Sequence, residues 1–248
     1  NFSWMTVVAA MGQMFYSLSI AMGILITFGS YMKKETSLED STRNVEVFDT
    51  AIAIMAGLMI IPAVFSFSGG DPDTLQAGPA LMFITIPKVF ENMGFGTVVG
   101  ILFFLLVLFA AVTSSIALTE SAVSTFEDEL GWSRRRATVL VGVIMIALGS
   151  LSSLGYGPLV GIKIIGMQFL DFFDFLTNSV MMPIAAMLTS LFVSRIVGMK
   201  RMEEEIMHGE STFRRKKIFI VMIKYLCPVF ALIILISSVA NAFGWIAM

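Results

Sequence analysis

The first 32 residues form a charge-free stretch of membrane length that carries polar groups at its centre. A helix needs about 20 apolar residues to cross the hydrocarbon core of a bilayer. Near the midpoint, however, the sequence reads Gly12-Gln13-Met14-Phe15-Tyr16-Ser17-Leu18-Ser19-Ile20-Ala21-Met22-Gly23. Because lipid leaves polar groups unsatisfied, these side chains are expected to face protein or a water-filled cavity. A hydrophobic span interrupted near its middle indicates a substrate site in a membrane transporter.

The polar centre of this stretch predicts a local break in the helix. Broken membrane helices expose carbonyl oxygens and N–H groups at their ends, which suit an amino acid and its coupling cation. Gln13 and Ser17 are four residues apart and share a face if the preceding helix is regular. Phe15, Tyr16 and Met22 would then line an apolar pocket. The alternative is a kinked span whose serines bond back to the helix.

The composition indicates an α-helical polytopic membrane protein. Hydrophobic residues make up 57% of the 248 residues, and the mean hydropathy is +0.88. Charged residues make up 14%, against roughly 25% in soluble domains. The net charge of −2 argues against nucleic-acid binding. The single cysteine, Cys227, has no partner for an internal disulfide.

Six apolar runs are each long enough to cross the membrane as a helix. These predicted spans are 1–32, 50–70, 97–119, 137–162, 175–194 and 225–248. All basic residues except Lys88 and Lys163 follow the first, third or fifth span. By the positive-inside rule those loops are cytoplasmic, so the chain enters and ends on the outside. If the polypeptide starts in the cytoplasm, an odd number of spans precedes this chain.

The loop between the second and third spans has a distinct composition. It contains Gly69-Gly70-Asp71-Pro72-Asp73 and then an amphipathic segment, 81–95, that includes Pro87. We expect a helical hairpin at about 69–97 on the extracellular face, which would act as a lid over an external vestibule. An ordinary long loop is the alternative.

The third span carries small and hydroxyl-bearing residues on one helical face. The spacing of Ala110, Thr113 and Ser114 places all three on the same side. Two hydroxyls and a carbonyl are hard oxygen ligands, which suit Na⁺ better than a transition metal. The spacing alone favours the alternative, in which these residues pack against a neighbouring helix.

Four carboxylates near the span ends are candidates for function. Asp49 and Glu120 lie at or near the cytoplasmic ends of the second and third spans, where each is a functional candidate if it is inside the membrane. Asp171 and Asp174 begin the fifth span, where they could cap the helix or pair with a basic residue across an external gate. The sequence has no phosphate-binding loop, zinc motif or nucleophile with a base, so we do not expect an enzyme.

Taken together, these motifs resemble the neurotransmitter:sodium symporter family, specifically its bacterial amino acid transporters. The order and spacing hold across nearly the whole chain. The matching segments are 12–19, 62–65, 83–87, 110–117, the turn 126–134 and the entry to the fifth span at 171–175. The resemblance implies the all-α leucine-transporter-type inverted-repeat fold, of which this chain would be spans six to eleven. Residues 1–198 would form the second repeat, and 199–248 a cytoplasmic loop and span eleven.

The resemblance also implies roles for individual positions. Ser17 matches a ligand of the first sodium site, and Ala110, Thr113 and Ser114 match ligands of the second. The extracellular gate is matched by Asp174, with Asp171 one turn earlier; its arginine partner would lie in the missing N-terminal half. The substrate pocket is matched by Phe15, Tyr16, Ser17, Ser19, Met22, Ser115 and Leu118. Tyr16 departs from the phenylalanine that is usual at the lid position.

The resemblance also gives expectations for coupling and substrate. Asp49 lies close to a carboxylate that takes the place of chloride in bacterial members, because Na⁺ in a low dielectric needs a counter-charge. Met22 and Leu118 favour a roomy apolar pocket. We therefore expect a chloride-independent sodium symporter for hydrophobic or aromatic L-amino acids in the bacterial inner (plasma) membrane. A channel or a non-transporting amino acid receptor on the same fold is the alternative.

Overall fold

The computed structural model describes residues 4–67, 78–209 and 212–245, and most of the described chain is helical. Short π-helical turns at Leu81–Thr85, Phe175–Met181, Phe192–Val197 and Met222–Leu226 join some of the α-helices. The α-helices are α1 (Trp4–Ser17), α2 (Ile24–Ser30), α3 (Leu38–Phe67), α4 (Ile86–Glu91), α5 (Gly96–Leu130), α6 (Arg134–Leu154), α7 (Phe169–Asp174), α8 (Met182–Leu191), α9 (Met199–Ile206), α10 (Lys216–Val221) and α11 (Cys227–Ala242).

Within these described residues, five helical stretches are long and apolar enough to cross a membrane. They are Leu38–Ser66, Gly96–Leu130, Arg134–Leu154, Phe169–Val197 and Lys216–Ala242. Each corresponds to one of the predicted spans, so the prediction of an all-α, multi-pass membrane protein is confirmed.

The first predicted span does not form one continuous helix. α1 ends at Ser17 and α2 begins at Ile24. Between them the backbone of Ser19, Ala21 and Gly23 has positive φ, which no α-helix can accommodate. The predicted break is confirmed, and it is a separation into two helices rather than a kink.

Proline residues explain the π-helical turns that precede α4, α8 and α11, but not the turn at Phe192–Val197. Pro87, Pro183 and Pro228 each lie in the first turn of an α-helix, directly after a π-helical turn. Proline lacks an N–H, and its ring clashes with the carbonyl four residues earlier. A π-helical turn widens the helix and takes up this mismatch. The stretches that contain Pro183 and Pro228 therefore continue as single spans.

Several helices extend beyond the predicted spans, and one predicted span limit is wrong. α3 begins at Leu38, before the span predicted from residue 50, because hydropathy marks the part of a helix that lipid covers and misses charged turns of good helix formers. α6 ends at Leu154 rather than residue 162. The apolar segment that follows contains Gly155, Gly157 and Pro158, which disfavour a helix despite their low polarity.

The chain divides into two compact units, one of residues 1–42 and 117–248 and the other of residues 43–116. In the first unit, the C-terminal part of α5 packs on α6 through the buried residues Val123, Ala137 and Val141. In the same unit, α11 packs against α8 and α1. α11 therefore connects α8 to α1, the helix that ends at the break.

In the second unit, the described part of the predicted lid packs on the start of α5. The first part of that segment, 69–77, lies outside the described residues, whereas α4 forms one helical arm. Phe90 of α4 lies against two glycines of α5. A Cβ at Gly96 would lie 1.6 Å from the Phe90 carbonyl oxygen, and one at Gly100 would lie 3.3 Å from the Phe90 ring. Glycine at these positions permits the close approach.

Candidate functional site

The backbone between α1 and α2 is strained. Ser19 and Ala21 have φ angles of 54° and 63°, in the left-handed region. Each non-glycine residue in this region costs about 1–2 kcal/mol, so surrounding contacts must hold both. Strained backbone of this kind concentrates at ligand sites and switch regions. At the break the backbone is not helical, so its N–H and C=O groups can bind a solute, as a polar site inside a membrane requires.

The far side of the break is held on α5 by hydroxyl groups. Thr27 of α2 is buried, and its Oγ1 lies 3.5 Å from Ser121 Oγ and 3.3 Å from Ser124 Oγ. Ser121 also donates to the Met22 carbonyl at 3.5 Å. Gly23 has φ +80°, and a Cβ there would lie 2.6 Å from Ser121 Oγ. We call this contact region, formed by Gly23, Thr27, Ser121 and Ser124, the α2 seat. It was not predicted from the sequence, although the hydroxyl groups of Ser121 and Ser124 in an apolar helix could have indicated it.

At the C-terminal end of α2, four side chains form a network of hydrogen bonds and ion pairs. The Tyr31 hydroxyl donates to Glu120 Oε1 at 2.7 Å. Arg134 forms ion pairs with the other oxygen of Glu120 and, at 3.2 Å, with Glu127. The network joins α2, α5 and α6, so the role of Glu120 seen here is to hold helices together. Its contribution to stability is modest, because Arg134 is 58% exposed.

Alongside α1, Asp171 and Asp174 line a cavity of about 610 Å³. Tyr16 also lines this cavity. The predicted gate carboxylates therefore share one cavity with Tyr16, the residue that matches the lid position of the substrate pocket. Asn178 donates a hydrogen bond to Asp174. Partial desolvation raises the pKa of the Tyr156 phenol, and the negative charge of Asp171 adds to the increase. The other lining residues are Val8, Ala9, Gly12, Gln13, Met167, Phe175, Ser179, Ile234, Ser238, Asn241 and Ala242.

Neither aspartate is the N-cap of its helix. The N-cap of α7 is Gln168, which makes no side-chain cap hydrogen bond, and Asp171 lies within the first turn. Sequence reasoning missed the polar groups that α11 contributes to the cavity, Ser238 and Asn241. The signal was available, because both interrupt the apolar run of the last span.

The residues that match substrate-pocket positions have mixed exposure. Phe15, Ser19 and Met22 are partly buried around the break, whereas Ser17 is exposed. Tyr16 is about half exposed and lines the cavity that also includes Asp171 and Asp174. On α5, Leu118 is exposed, and Ser115 donates to the Val112 carbonyl at 2.9 Å.

The predicted sodium ligands on α5 lie along a regular, continuous helix. The Thr113 hydroxyl is 3.0 Å from the Ala110 carbonyl oxygen and 3.1 Å from that of Phe109. Ser114 is exposed beside them. Two of the predicted oxygen ligands, on Ala110 and Thr113, are thus adjacent in space. Back-bonding to the helix accounts for the same hydroxyl geometry, so the contact alone fits both interpretations.

Asp49 lies well inside α3, in its fourth turn from Leu38. The acidic residues in the first turn are Glu39 and Asp40. Asp49 is therefore not an N-terminal helix residue that serves only to offset the helix dipole. Its side chain is partly buried.

Comparison with known proteins supports the same fold and family. The sodium:neurotransmitter symporter family model matches residues 3–244. A sodium-dependent transporter of Haemophilus influenzae is 33% identical over 92% of this chain and 49% of its own length. The sodium-dependent transporter YhdH of Bacillus subtilis is 32% identical over 83% of this chain and 45% of its own length. The chain thus spans about half the length of the curated relatives it matches.

A solved structure gives a close structural match. The crystal structure of MhsT in complex with L-phenylalanine has a TM-score of 0.82 and 37% sequence identity to this chain. The match covers 93% of this chain and 51% of MhsT. It confirms the predicted leucine-transporter-type fold. With the family model matching nearly the whole chain, the chain belongs to the sodium:neurotransmitter symporter family.

Proposed function

We propose that this chain is the second half of a sodium-coupled symporter that imports hydrophobic or aromatic L-amino acids by alternating access. The observation that carries the proposal is the break between Ser17 and Ile24, because strained, non-helical backbone in a membrane span suits a bound solute. The names of the bacterial relatives support sodium dependence. The L-phenylalanine complex of MhsT supports an apolar amino acid as substrate.

The proposal includes a preceding half that this chain lacks. The relatives and MhsT are about twice as long as their matched parts, which supports a further part of similar length. By the family resemblance, that part is five spans that precede Asn1. In that arrangement residues 1–198 form the second inverted repeat, and 199–248 form a cytoplasmic loop and span eleven. The missing half supplies most contacts to the substrate carboxylate. The parent protein lies in the plasma membrane, which is the inner membrane of a bacterium.

The oxygen-bearing residues are proposed as sodium ligands. Ser17 contributes to one site, and Ala110, Thr113 and Ser114 contribute to another. The second site is supported by the position of all three residues on one face of the continuous helix α5, because a small hard cation needs several oxygens within a few ångströms. Coupling follows if these ions bind the outward and inward states with different affinity.

The substrate pocket is proposed to be apolar with a few polar groups. Phe15, Tyr16 and Met22 surround the substrate side chain together with Leu118, while the serines provide polar contacts. The serines concerned are Ser17, Ser19 and Ser115. Methionine adapts its shape more readily than phenylalanine, so the pocket accepts more than one apolar side chain.

Asp49 and the outer aspartates complete the proposed site. The carboxylate of Asp49 serves as the fixed counter-charge to sodium, so uptake does not require chloride. Its position in the fourth turn of α3 supports this role over a helix-capping role. Asp174, with Asp171 beside it, forms the extracellular gate with an arginine of the missing half. The cavity shared with Tyr16 supports that assignment.

Uptake into proteoliposomes tests the proposal. The full-length parent protein is reconstituted, and uptake of radiolabelled leucine is followed with an inward Na⁺ gradient and with K⁺ in its place. Saturable uptake above the external concentration, present only with the Na⁺ gradient, supports a symporter. Sodium-independent binding without uptake would support a receptor, and flux that does not saturate would support a channel.

A further inference from the structure

The hydroxyl of Ser121 differs from its neighbours on α5 because it bonds outside its own helix. Serine and threonine hydroxyls within a helix commonly point to solvent or bond back to a carbonyl of the same helix. Ser124 and Thr125 bond back in this way, and both donate to the Ser121 carbonyl, at 3.1 and 2.8 Å. The Ser121 hydroxyl instead donates across the α2 seat to the Met22 carbonyl, at 3.5 Å. Ser121 therefore links α5 to the backbone of the break.

Met22 lies in the part of the break where the backbone is strained. Its neighbours Ala21 and Gly23 have φ angles of 63° and 80°, both in the left-handed region. On the side toward α1, the N–H groups of residues 18–20 bond to carbonyls of α1. On the other side, Ser121 contacts the Met22 carbonyl and fills the space beside Gly23, where an added Cβ would lie 2.6 Å from Ser121 Oγ. The backbone of Met22 thus has a direct contact from a neighbouring helix.

Ser121 is itself held in place. It is buried, and its Oγ lies 3.5 Å from the hydroxyl of Thr27, which is also buried. Because water has little access to these groups, it does not compete for their hydrogen bonds. The contacts are longer than the common O–H···O distance of about 2.7–2.8 Å, so each is weak. Their effect is therefore better measured on the position of Met22 than on the stability of the protein.

We propose that Ser121 is a positioning residue that holds Met22 in one orientation and so sharpens the preference of the substrate pocket between apolar side chains. A methionine that is free to adapt fits many shapes. A hydrogen bond that fixes its backbone limits where the side chain can reach, so the pocket fits one substrate side chain better than another. Ser121 acts through Met22 rather than by touching the substrate. This role in selectivity rests on the proposed function, in which Met22 surrounds the substrate side chain.

Methyl NMR of the purified full-length transporter, with methyl-labelled methionine, tests the positioning of Met22 without any substrate. The variant Met22→Leu identifies the Met22 signal. Ser121→Ala removes the hydroxyl that contacts Met22. Ser124→Ala is the matched control, because the Ser124 hydroxyl also contacts Thr27 but bonds back to α5. We expect the Met22 signal to shift or broaden in Ser121→Ala and to match wild type in Ser124→Ala.

Scintillation binding in Na⁺ measures the consequence for selectivity, as the ratio of the dissociation constants of leucine and tryptophan. Ser121→Ala should move this ratio toward one by about threefold, which is the low end of what one neutral hydrogen bond contributes. Ser124→Ala should keep the wild-type ratio. In a Met22→Ala background the side chain through which Ser121 acts is absent, so Ser121→Ala should no longer change the ratio, as a double-mutant cycle would measure.

Three outcomes would overturn the proposal. One is a Met22 signal that Ser121→Ala leaves unchanged. Another is an equal change of that signal in Ser124→Ala, which would indicate a general loosening of the α2 seat. The third concerns the ratio: a wild-type value of one, no change in Ser121→Ala, or a change that persists without the Met22 side chain. If the Met22 signal responds as expected but the wild type binds neither amino acid in Na⁺, the proposed substrate pocket fails and the selectivity role fails with it, whereas the contact that positions Met22 stands.

Discussion

Replacement of Gly23 by alanine tests whether the α2 seat holds the break in the first span. Gly23 has φ +80°, and a Cβ there would lie 2.6 Å from Ser121 Oγ. Gly29, in the same short helix, provides the control because a Cβ there would have no atom within 4 Å. Both changes add one methyl group, so they differ only in backbone conformation and in what the methyl group meets.

The expected destabilisation has two parts. Alanine in the left-handed region costs about 1–2 kcal/mol. Displacement of Ser121 breaks its hydroxyl contacts with Thr27 and with the Met22 carbonyl, and the loss of one such hydrogen bond costs about 0.5–1.5 kcal/mol. Because both contacts are long, at 3.5 Å, we count them together as about one hydrogen bond, and Gly23→Ala should therefore cost roughly 2–3 kcal/mol. Gly29→Ala should be neutral or stabilise by up to about 1 kcal/mol, because alanine is the better helix former.

Thermal unfolding of the detergent-purified protein, followed by size-exclusion chromatography after heating, measures the effect. At about 2–4 °C per kcal/mol, Gly23→Ala should lower Tm by roughly 5–10 °C. Combining Gly23→Ala with Ser121→Ala removes the clash but keeps the φ strain. In that background the cost of the Gly23 change should fall by about half, as a double-mutant cycle would measure. Equal Tm values for Gly23→Ala and Gly29→Ala would refute the reasoning.

Three further predictions concern ions. The double variant Thr113→Ala/Ser114→Ala should raise the Na⁺ concentration for half-maximal uptake about tenfold or more, because a polar interaction with a charged group contributes about 1.5–3 kcal/mol. The control is Ser152→Ala, since the Ser152 hydroxyl is bonded to its own helix. Equal sodium dependence in both variants would contradict the sodium site. Asp49→Ser should make uptake respond to chloride when gluconate is replaced by chloride, and a folded variant without any response would contradict the counter-charge role. Arg134→Gln should lower the free energy of unfolding by less than about 1 kcal/mol, because the arginine is 58% exposed. A larger loss in the same heating assay would contradict a weak, solvent-exposed network.

The break could be predicted from the sequence because polar residues are rare within an apolar, membrane-length run. Ser17 and Ser19 could be singled out inside a charge-free run without any structural information. The positive φ angles of Ser19 and Ala21 were not predictable, because neither residue type favours the left-handed region. Tertiary contacts impose that conformation, and they cannot be predicted from the residues next to it in the sequence.

The limits of the membrane-spanning helices could be predicted only where the apolar run and the helix end at the same residue. The charged turns of α3 before residue 50 are helical but too polar to register as a span. The apolar residues after Leu154 are hydrophobic but contain glycine and proline, so they form turns instead. The ionic network of Arg134 depends on residues from three helices brought together by packing, which periodicity within one helix cannot reveal.

The most direct test of the symporter proposal is scintillation binding of radiolabelled leucine and tryptophan to the purified full-length transporter, in Na⁺ and in K⁺. We predict saturable binding in Na⁺, loss of that binding in K⁺, and a measurable preference between the two side chains. Binding of equal strength in Na⁺ and K⁺, or no binding of either amino acid by a protein that is folded and monodisperse, would contradict a sodium-coupled transporter of apolar amino acids.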